Sequence, residues 1–178
     1  MIYTDTYTSS LGNITLTATE TALTGLWFED EKYYGKVFAK MTPCPCKDHP
    51  VLARTREWLD AYFCGRNPDF TPPLLLEGTP FRLAVWEILK TISYGQTMTY
   101  GEIARIIAAQ RKIPRMSAQA VGGAVGHNPI SIIVPCHRVI GTDGSLTGYA
   151  GGLDRKTALL QLEGISINKS AIKPHPNR

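Results

Sequence analysis

The residues with the most reactive chemistry in this chain stand together in Pro135-Cys136-His137-Arg138. A cysteine attacks as its thiolate, and a neighbouring base or positive charge favours that form. His137 can supply the base, directly or through a water, and Arg138 the charge. Two other readings stand beside this one. A lone cysteine is commonly a small buried hydrophobe, and adjacent strand residues face opposite sides, which would turn His137 away from Cys136. The other cysteines give no disulfide framework. Cys44 and Cys46 are too close to bridge each other comfortably, and Cys64 and Cys136 are far apart in sequence. Cys44-x-Cys46-x-x-His49 offers soft ligands in a loop with three prolines, but no fourth ligand accompanies them, so no metal site is predicted.

The elements that must carry Cys136 read as a chain of short helices. Thr79-Pro80 is an N-cap followed by proline at the first helical position, and Phe81, Val85, Leu89 and Ile92 form one apolar face up to Ser93-Tyr94-Gly95. Thr99-x-x-Glu102 is a capping box before Ile103, Ile106 and Ile107, and Lys112-Ile113-Pro114 ends that helix. Ser117 caps a third segment rich in alanine that carries Gly122, Gly123 and Gly126. This is a helix-turn-helix array. After Asn128-Pro129, Ile130 to Val134 reads as a strand leading into Cys136, and Thr142-Asp143-Gly144-Ser145 as a hairpin turn, the pattern of a winged helix-turn-helix. Leu153 to Glu163 closes the segment as a helix, and the tail after Asn168 reads as flexible.

Upstream, residues 2 to 8 and 13 to 19 alternate in period two around Ser10-Leu11-Gly12-Asn13, and Ala22 to Phe28 is a third strand-like run. The proline-rich residues 41 to 50 are expected to be irregular, and Val51 to Phe63 reads as a helix with Leu52, Thr55, Leu59 and Tyr62 near helical spacing. Asn67 to Thr79 holds the densest cluster of Pro and Gly, and charge switches there. Residues 1 to 78 carry 7 Lys/Arg against 10 Asp/Glu, and residues 79 to 178 carry 12 against 5. The expected division is therefore an α/β domain at 1–78, a mainly α, winged-helix-like domain at 79–168 and a tail at 169–178. The basic half suits a polyanionic partner, and a solvated basic face is the plainer alternative. With no signal-like start, no membrane-length apolar run and reduced thiols, the expected place is the cytoplasm.

Ile133 to Ile140 (Ile-Val-Pro-Cys-His-Arg-Val-Ile) is preceded by Ala120-Val121-Gly122-Gly123-Ala124 and Asn128-Pro129. It is followed by Gly148-Tyr149-Ala150-Gly151-Gly152 and Leu162-Glu163-Gly164. In order and spacing these motifs resemble the O6-alkylguanine-DNA alkyltransferases, also called methylated-DNA–protein-cysteine methyltransferases. The resemblance covers about half the chain, Thr79 to Gly164. The N-terminal part resembles the family in position and in its strands-then-helix character, which implies a ribonuclease H-like unit.

The resemblance implies that Cys136 accepts the alkyl group, that His137 takes its proton through a water, and that Glu163 orients His137. It gives Tyr100 the role of donor toward the guanine as charge leaves on O6, and Asn128 that of tying the turn before the active-site segment. Taken alone, Tyr100 is equally a packing residue with a wet hydroxyl, Glu163 a solvent-facing helix end, and Asn128 a turn former. Val134, Val139, Tyr149, Ala150 and Gly151 would shape the pocket, and Arg138 would join the substrate- and DNA-binding set. Ala120, Gly122 and Gly123 would let the helix backbone approach the minor groove, a tight helix crossing being the other reason for such glycines. A lesion stacked in a duplex is out of reach of a thiol, so base flipping is implied. Many members have arginine where this chain has Gln119, which brings no charge to the gap left by the flipped base. Arg115 could compensate. The implied function is single-turnover transfer of a methyl or larger alkyl group from O6-alkylguanine, with O4-alkylthymine as a further substrate, in double-stranded DNA. No cofactor and no membrane are expected, and the protein should act as a monomer. A non-catalytic lesion-binding relative is the competing reading, although such proteins lack the acceptor cysteine. A sequence-specific regulator would need longer base-reading side chains on the third helix.

Overall fold

The computed structural model describes residues 1–32 and 42–167, so the expected tail at 169–178 lies outside the described residues. The chain forms two compact units, Met1–Glu77 with Pro129–Ile133, and Gly78–Asn128 with the chain from Val134 onward.

In the first unit, β1 (Ile2–Ser9), β2 (Gly12–Ala18), β3 (Leu23–Phe28) and β4 (Pro43–Pro45) form one sheet in the order β3-β2-β1-β4. β1 and β2 pair antiparallel from Tyr3↔Ala18 to Ser9↔Gly12, and Gly12 closes the hairpin at φ 117°, where a side chain would be strained. Burial runs wider than period-two alternation predicts: Ile14, Leu16, Ala18, Leu26 and Phe28 are fully buried, and Thr15, Thr17 and Trp27 between them are buried as well. Helix α1 (Pro50–Phe63) supplies Leu52, Trp58, Leu59 and Tyr62 to the same core. Residues 41 to 50 depart from the irregular loop expected there. Pro43–Pro45 pairs parallel with β1 (Ile2↔Pro43, Thr4↔Pro45), making the sheet mixed rather than purely antiparallel. An edge strand tolerates proline because one side of it needs no N–H donor.

The run Ile130 to Val134, read as a strand, also departs from expectation. Among the described residues, Pro129–Ile133 makes one bridge, Leu26↔Ile130, with Leu26 N donating to Pro129 O at 3.0 Å and Ser131 N donating to Leu26 O at 2.8 Å. The chain then turns at Ile132, whose φ of 70° is a left-handed conformation costly for a β-branched residue. This short piece groups with the first unit, an excursion that a single boundary at 78/79 leaves out.

In the second unit, the capping signals do what their chemistry requires. The Thr79 side chain accepts from Arg82 N to open α2 (Pro80–Lys90). Thr99 and Glu102 complete their reciprocal box at α3 (Tyr100–Arg111), and Ser117 accepts from Ala120 N to open α4 (Ala118–Gly126). The buried stripes of α2, α3 and α4 (Val85, Trp86 and Leu89; Ile103 and Ile107; Val121, Ala124 and Val125) make the core, and Trp86 Nε1 donates to Ala124 O at 2.9 Å. Ile106, read as part of the apolar face, stands exposed. The turn at residues 141–145 forms, with Gly144 at φ 77° and Gly141 N donating to Ser145 O. The strand before it, β6 (Val139–Ile140), pairs parallel with β5 (Met98–Thr99), so the pairing partner comes from the start of α3. α5 (Leu153–Leu162) completes the unit. Among the described residues, no helix is long and apolar enough to cross a membrane.

Candidate active site

Cys136, His137 and Arg138 form one turn of 3-10 helix, not the end of a strand. The alternation that would have turned His137 away therefore does not operate. The turn is buried, and its three side chains are held by groups from three other places in the second unit. Asn128, just past the end of α4, donates from Nδ2 to Val134 O at 2.8 Å and to Cys136 Sγ at 3.2 Å. A donor aimed at sulfur favours the thiolate over the thiol. Its bond to Val134 fixes the chain just ahead of Cys136.

Glu163, at the C-cap of α5, is the centre of the second group. His137 Nε2 lies 2.6 Å from Oε1, Arg138 donates from Nε to Oε2 at 2.8 Å and from Nη2 to Oε1 at 3.0 Å, and Gly95 N donates to Oε2 at 3.0 Å. Burial alone would raise the Glu163 carboxyl, but the hydrogen bonds and charges of His137 and Arg138 outweigh it and hold the group at about 2. It is a carboxylate at neutral pH, an acceptor only, so His137 Nε2 carries the proton and Nδ1 is the basic nitrogen. Burial, joined by the charges of Arg138 and Lys156, lowers the His137 pKa below its ordinary 6.5 despite the hydrogen bond and charge of Glu163. His137 is neutral and able to accept a proton.

Arg138 is placed differently from the DNA-contacting role implied for it. Its guanidinium turns inward to Glu163, with Nη1 donating to Ile92 O at 2.5 Å. The reason is electrostatic, since a carboxylate buried with only a neutral imidazole beside it would lack a counter-charge.

Tyr100, the first residue of α3, donates from its hydroxyl to Thr147 O at 3.0 Å and makes a longer 3.4 Å contact to Gly148 O. Burial, and next a thiolate at Cys136, push its pKa up, so it stays a protonated donor. Val134 and Val139 are fully buried, Gly151 is buried, and Tyr149 and Ala150 are half-buried. On α4, Gln119, Ala120 and Gly123 are exposed and Gly122 is half-buried. Arg115 is exposed as well, and with Arg105, Ala108, Ile113 and Met116 it lines a separate groove of about 400 Å³. A Cβ added at Gly122 would meet the Tyr100 ring at an ordinary 3.8 Å, and at Gly123 or Gly126 nothing within 4 Å. Among the described residues, no tight helix crossing requires these glycines. At Cys44 and Cys46, no three His, Cys, Asp or Glu gather to hold a metal among the described residues, and His49 instead stacks on Tyr3.

Lys156 was not anticipated. It sits fully buried in α5, donating from Nζ to Val139 O, Thr147 O and Gly148 O. Its signal was its spacing: Lys156, Leu159, Leu160 and Glu163 fall at i, i+3, i+4 and i+7, on one buried stripe.

A helical unit with a buried cysteine turn, joined to a small mixed-sheet unit, defines the class of two-unit DNA-binding proteins described by two family models. The model for the ribonuclease-like domain of 6-O-methylguanine DNA methyltransferase matches residues 2–76, and that for its DNA binding domain matches residues 80–165. The chain belongs to the methylated-DNA–protein-cysteine methyltransferase family. A protein of that name from Mycobacterium bovis is 45% identical over 163 residues, covering 92% of this chain and 93% of the relative. One from Haemophilus influenzae is 41% identical over 170 residues, covering 92% and 87%. Among solved structures, Mycobacterium tuberculosis OGT in complex with DNA has a TM-score of 0.79 at 44% identity, covering 91% of this chain and 93% of that one.

Proposed function

We propose that this protein reverses alkylation damage directly, moving the alkyl group of O6-alkylguanine in double-stranded DNA to Cys136 and being consumed in the process. The observation that carries this is the connected set Asn128–Cys136 and His137–Glu163–Arg138, with a donor on sulfur and a neutral imidazole whose tautomer Glu163 fixes. His137 Nδ1 takes the Cys136 proton through a water. The thiolate then attacks the alkyl carbon, forming the S–C bond as the C–O6 bond breaks and its electron pair passes to the purine. Tyr100 donates a proton to the purine as that charge develops. The product thioether has no group beside it that would hydrolyse it, so one molecule repairs one lesion. No cofactor takes part in this scheme.

The lesion must leave the stack to reach Cys136. The exposed start of α4, with Gln119 filling the gap and Arg115 on phosphate or in the gap, is the part assigned to that task, and Ala120, Gly122 and Gly123 allow its backbone close to DNA. Val134, Val139, Tyr149, Ala150 and Gly151 form the pocket. O4-alkylthymine is a secondary substrate, and the protein works as a cytoplasmic monomer. Intact mass after incubation with an O6-methylguanine duplex tests the proposal: one methyl is gained by the native chain and none by Cys136→Ala. Duplex binding without any gain of mass would leave a lesion-binding protein and defeat the transfer reading.

A further inference from the structure

Glu31 is a buried carboxyl group of the first unit that the transfer scheme has not used. It stands three residues beyond Phe28, the last residue of β3, and the two close a reciprocal turn. Glu31 N donates to Phe28 O at 3.0 Å, and Phe28 N donates to Glu31 Oε2 at 2.9 Å. The other oxygen, Oε1, accepts from Ser131 Oγ at 2.7 Å, and Ser131 is itself buried. Both residues belong to the same unit, and the excursion that carries Ser131 begins one residue after Asn128 and ends one residue before Val134.

The backbone beside Ser131 is strained. Ile133 N donates to Ser131 O at 2.8 Å, an i to i+2 bond, and Ile132 between them has φ 70°. This is the rare form of the γ-turn, with a β-branched residue at its centre. The same ring recurs further on in its relaxed form: Cys136 N donates to Val134 O at 2.8 Å around Pro135 at φ −81° and ψ 65°. The chain thus reaches the thiol through two γ-turns, the first of them costly.

Strained backbone persists only where its surroundings fix it. Beyond Ile132, the chain is fixed by Asn128, which donates to Val134 O and Cys136 Sγ. Ahead of it, the bond from Ser131 N to Leu26 O fixes the Ser131 nitrogen. That bond leaves rotation about N–Cα, which swings the side chain and the carbonyl together. Holding Oγ on Glu31 therefore also aims the carbonyl that accepts from Ile133 N.

We propose that Glu31 is a positioning residue for alkyl transfer, holding Ser131 so that the strained turn at Ile132 directs Val134 O and Cys136 Sγ to the Asn128 amide. Release of Ser131 lets Ile132 relax and redirects the chain two residues before Val134. Asn128 then loses its alignment with sulfur, and the thiolate loses a donor. The inference rests on the transfer reaction proposed above.

The test is the single-turnover rate of methyl gain at Cys136, read by quenched mass spectrometry over a range of O6-methylguanine duplex concentrations. Ser131→Ala and Glu31→Leu should each lower the rate at saturating duplex by about tenfold, the scale of one hydrogen bond lost from the reacting arrangement. The half-saturating concentration should not change. The double variant should be no slower than the slower single, because one residue acts through the other. Glu31→Gln should keep the rate within about threefold of native, since its amide oxygen still accepts from Phe28 N and its NH2 donates to Ser131 Oγ. If Glu31→Leu fails to fold, Ser131→Ala, which removes a single oxygen atom, carries the test with Glu31→Gln. Thermal unfolding of each variant separates positioning from mere support. A lowered midpoint with the native saturating rate would overturn the proposal, as would a Glu31→Gln rate as low as that of Glu31→Leu. Losses that multiply to about a hundredfold in the double variant would overturn it too. Absence of transfer in the native chain would sink the reaction itself, whereas native transfer left unchanged by Ser131→Ala sinks only the role of Glu31.

Discussion

At the scale of single residues, Glu163 decides the protonation of the whole cluster. Glu163→Gln removes the acceptor that fixes the His137 tautomer and leaves Arg138 buried without its counter-charge. Breaking one partner of a buried pair costs about 3–5 kcal/mol, so chemical denaturation should show a loss of that order. Transfer should slow by at least about a hundredfold, as expected when a general base is misoriented. The pH dependence follows from the same group. Glu163 is depressed from 4.5 to about 2 on folding, so its contribution to stability is complete above about 4.5 and is lost as pH falls toward about 2. His137 is also depressed in the folded state, so the unfolded chain binds more protons below 6.5 and stability falls there too. Equilibrium unfolding against pH should therefore show stability declining steadily below 6.5, and steeply below 4.5. A stability maximum below pH 4.5 would contradict the assignment. Residue type and adjacency singled out Cys136 and His137 but left a buried hydrophobe and an outward-turned imidazole open, and the roles of Cys136, His137, Glu163 and Tyr100 all came through the family resemblance. Lys156 falls on the buried stripe of α5 by spacing, but a lysine on an amphipathic helix ordinarily carries its charge out to water, and the packing shows that this one does not.

Among the elements, those announced by caps were read correctly, because Thr79, Thr99 and Ser117 each satisfy helix N–H groups through contacts three residues away. Ile130–Val134 misled for the opposite reason. Its β-branched run has strand propensity, but a strand needs a partner along its length, and among the described residues only Ile130 finds one. The 3-10 turn at Cys136 was likewise hidden, since its three residues bear no helical pattern. The glycines of α4 offer a test at this scale. Gly123→Ala adds a methyl group into open space, so it should raise stability by up to about 1 kcal/mol through helix propensity, seen as a higher midpoint of thermal unfolding. If Gly123 serves a close approach of DNA, the same substitution should weaken duplex binding while stability rises. Gains in both stability and affinity would remove that role.

Over the whole molecule, charge was the feature most open to reading and the least specific. The excess of seven positive charges after residue 78 follows from counting alone, yet a count does not say which arginines meet solvent. Arg138 is inside and spent on Glu163, whereas Arg115 is exposed near the start of α4. The usable positive field is smaller than the sequence suggests, and Gln119, exposed on the first turn of α4, adds nothing to it. Gln119→Arg therefore distinguishes two ways a side chain there can assist DNA binding. If the new guanidinium only meets phosphate, affinity should rise equally for intact and lesion-bearing duplexes, and the slope of log affinity against log salt should steepen by about 0.9. If it fills the space left by the flipped guanine, it should favour the lesion duplex more than the intact one and speed methyl transfer at low protein concentration, because stacking and hydrogen bonding to the orphaned cytosine occur only after flipping. The second outcome is expected, and fluorescence anisotropy on both duplexes at several salt concentrations measures it. Equal gains on the two duplexes would assign position 119 to the phosphate backbone and leave the filling of the gap to another residue.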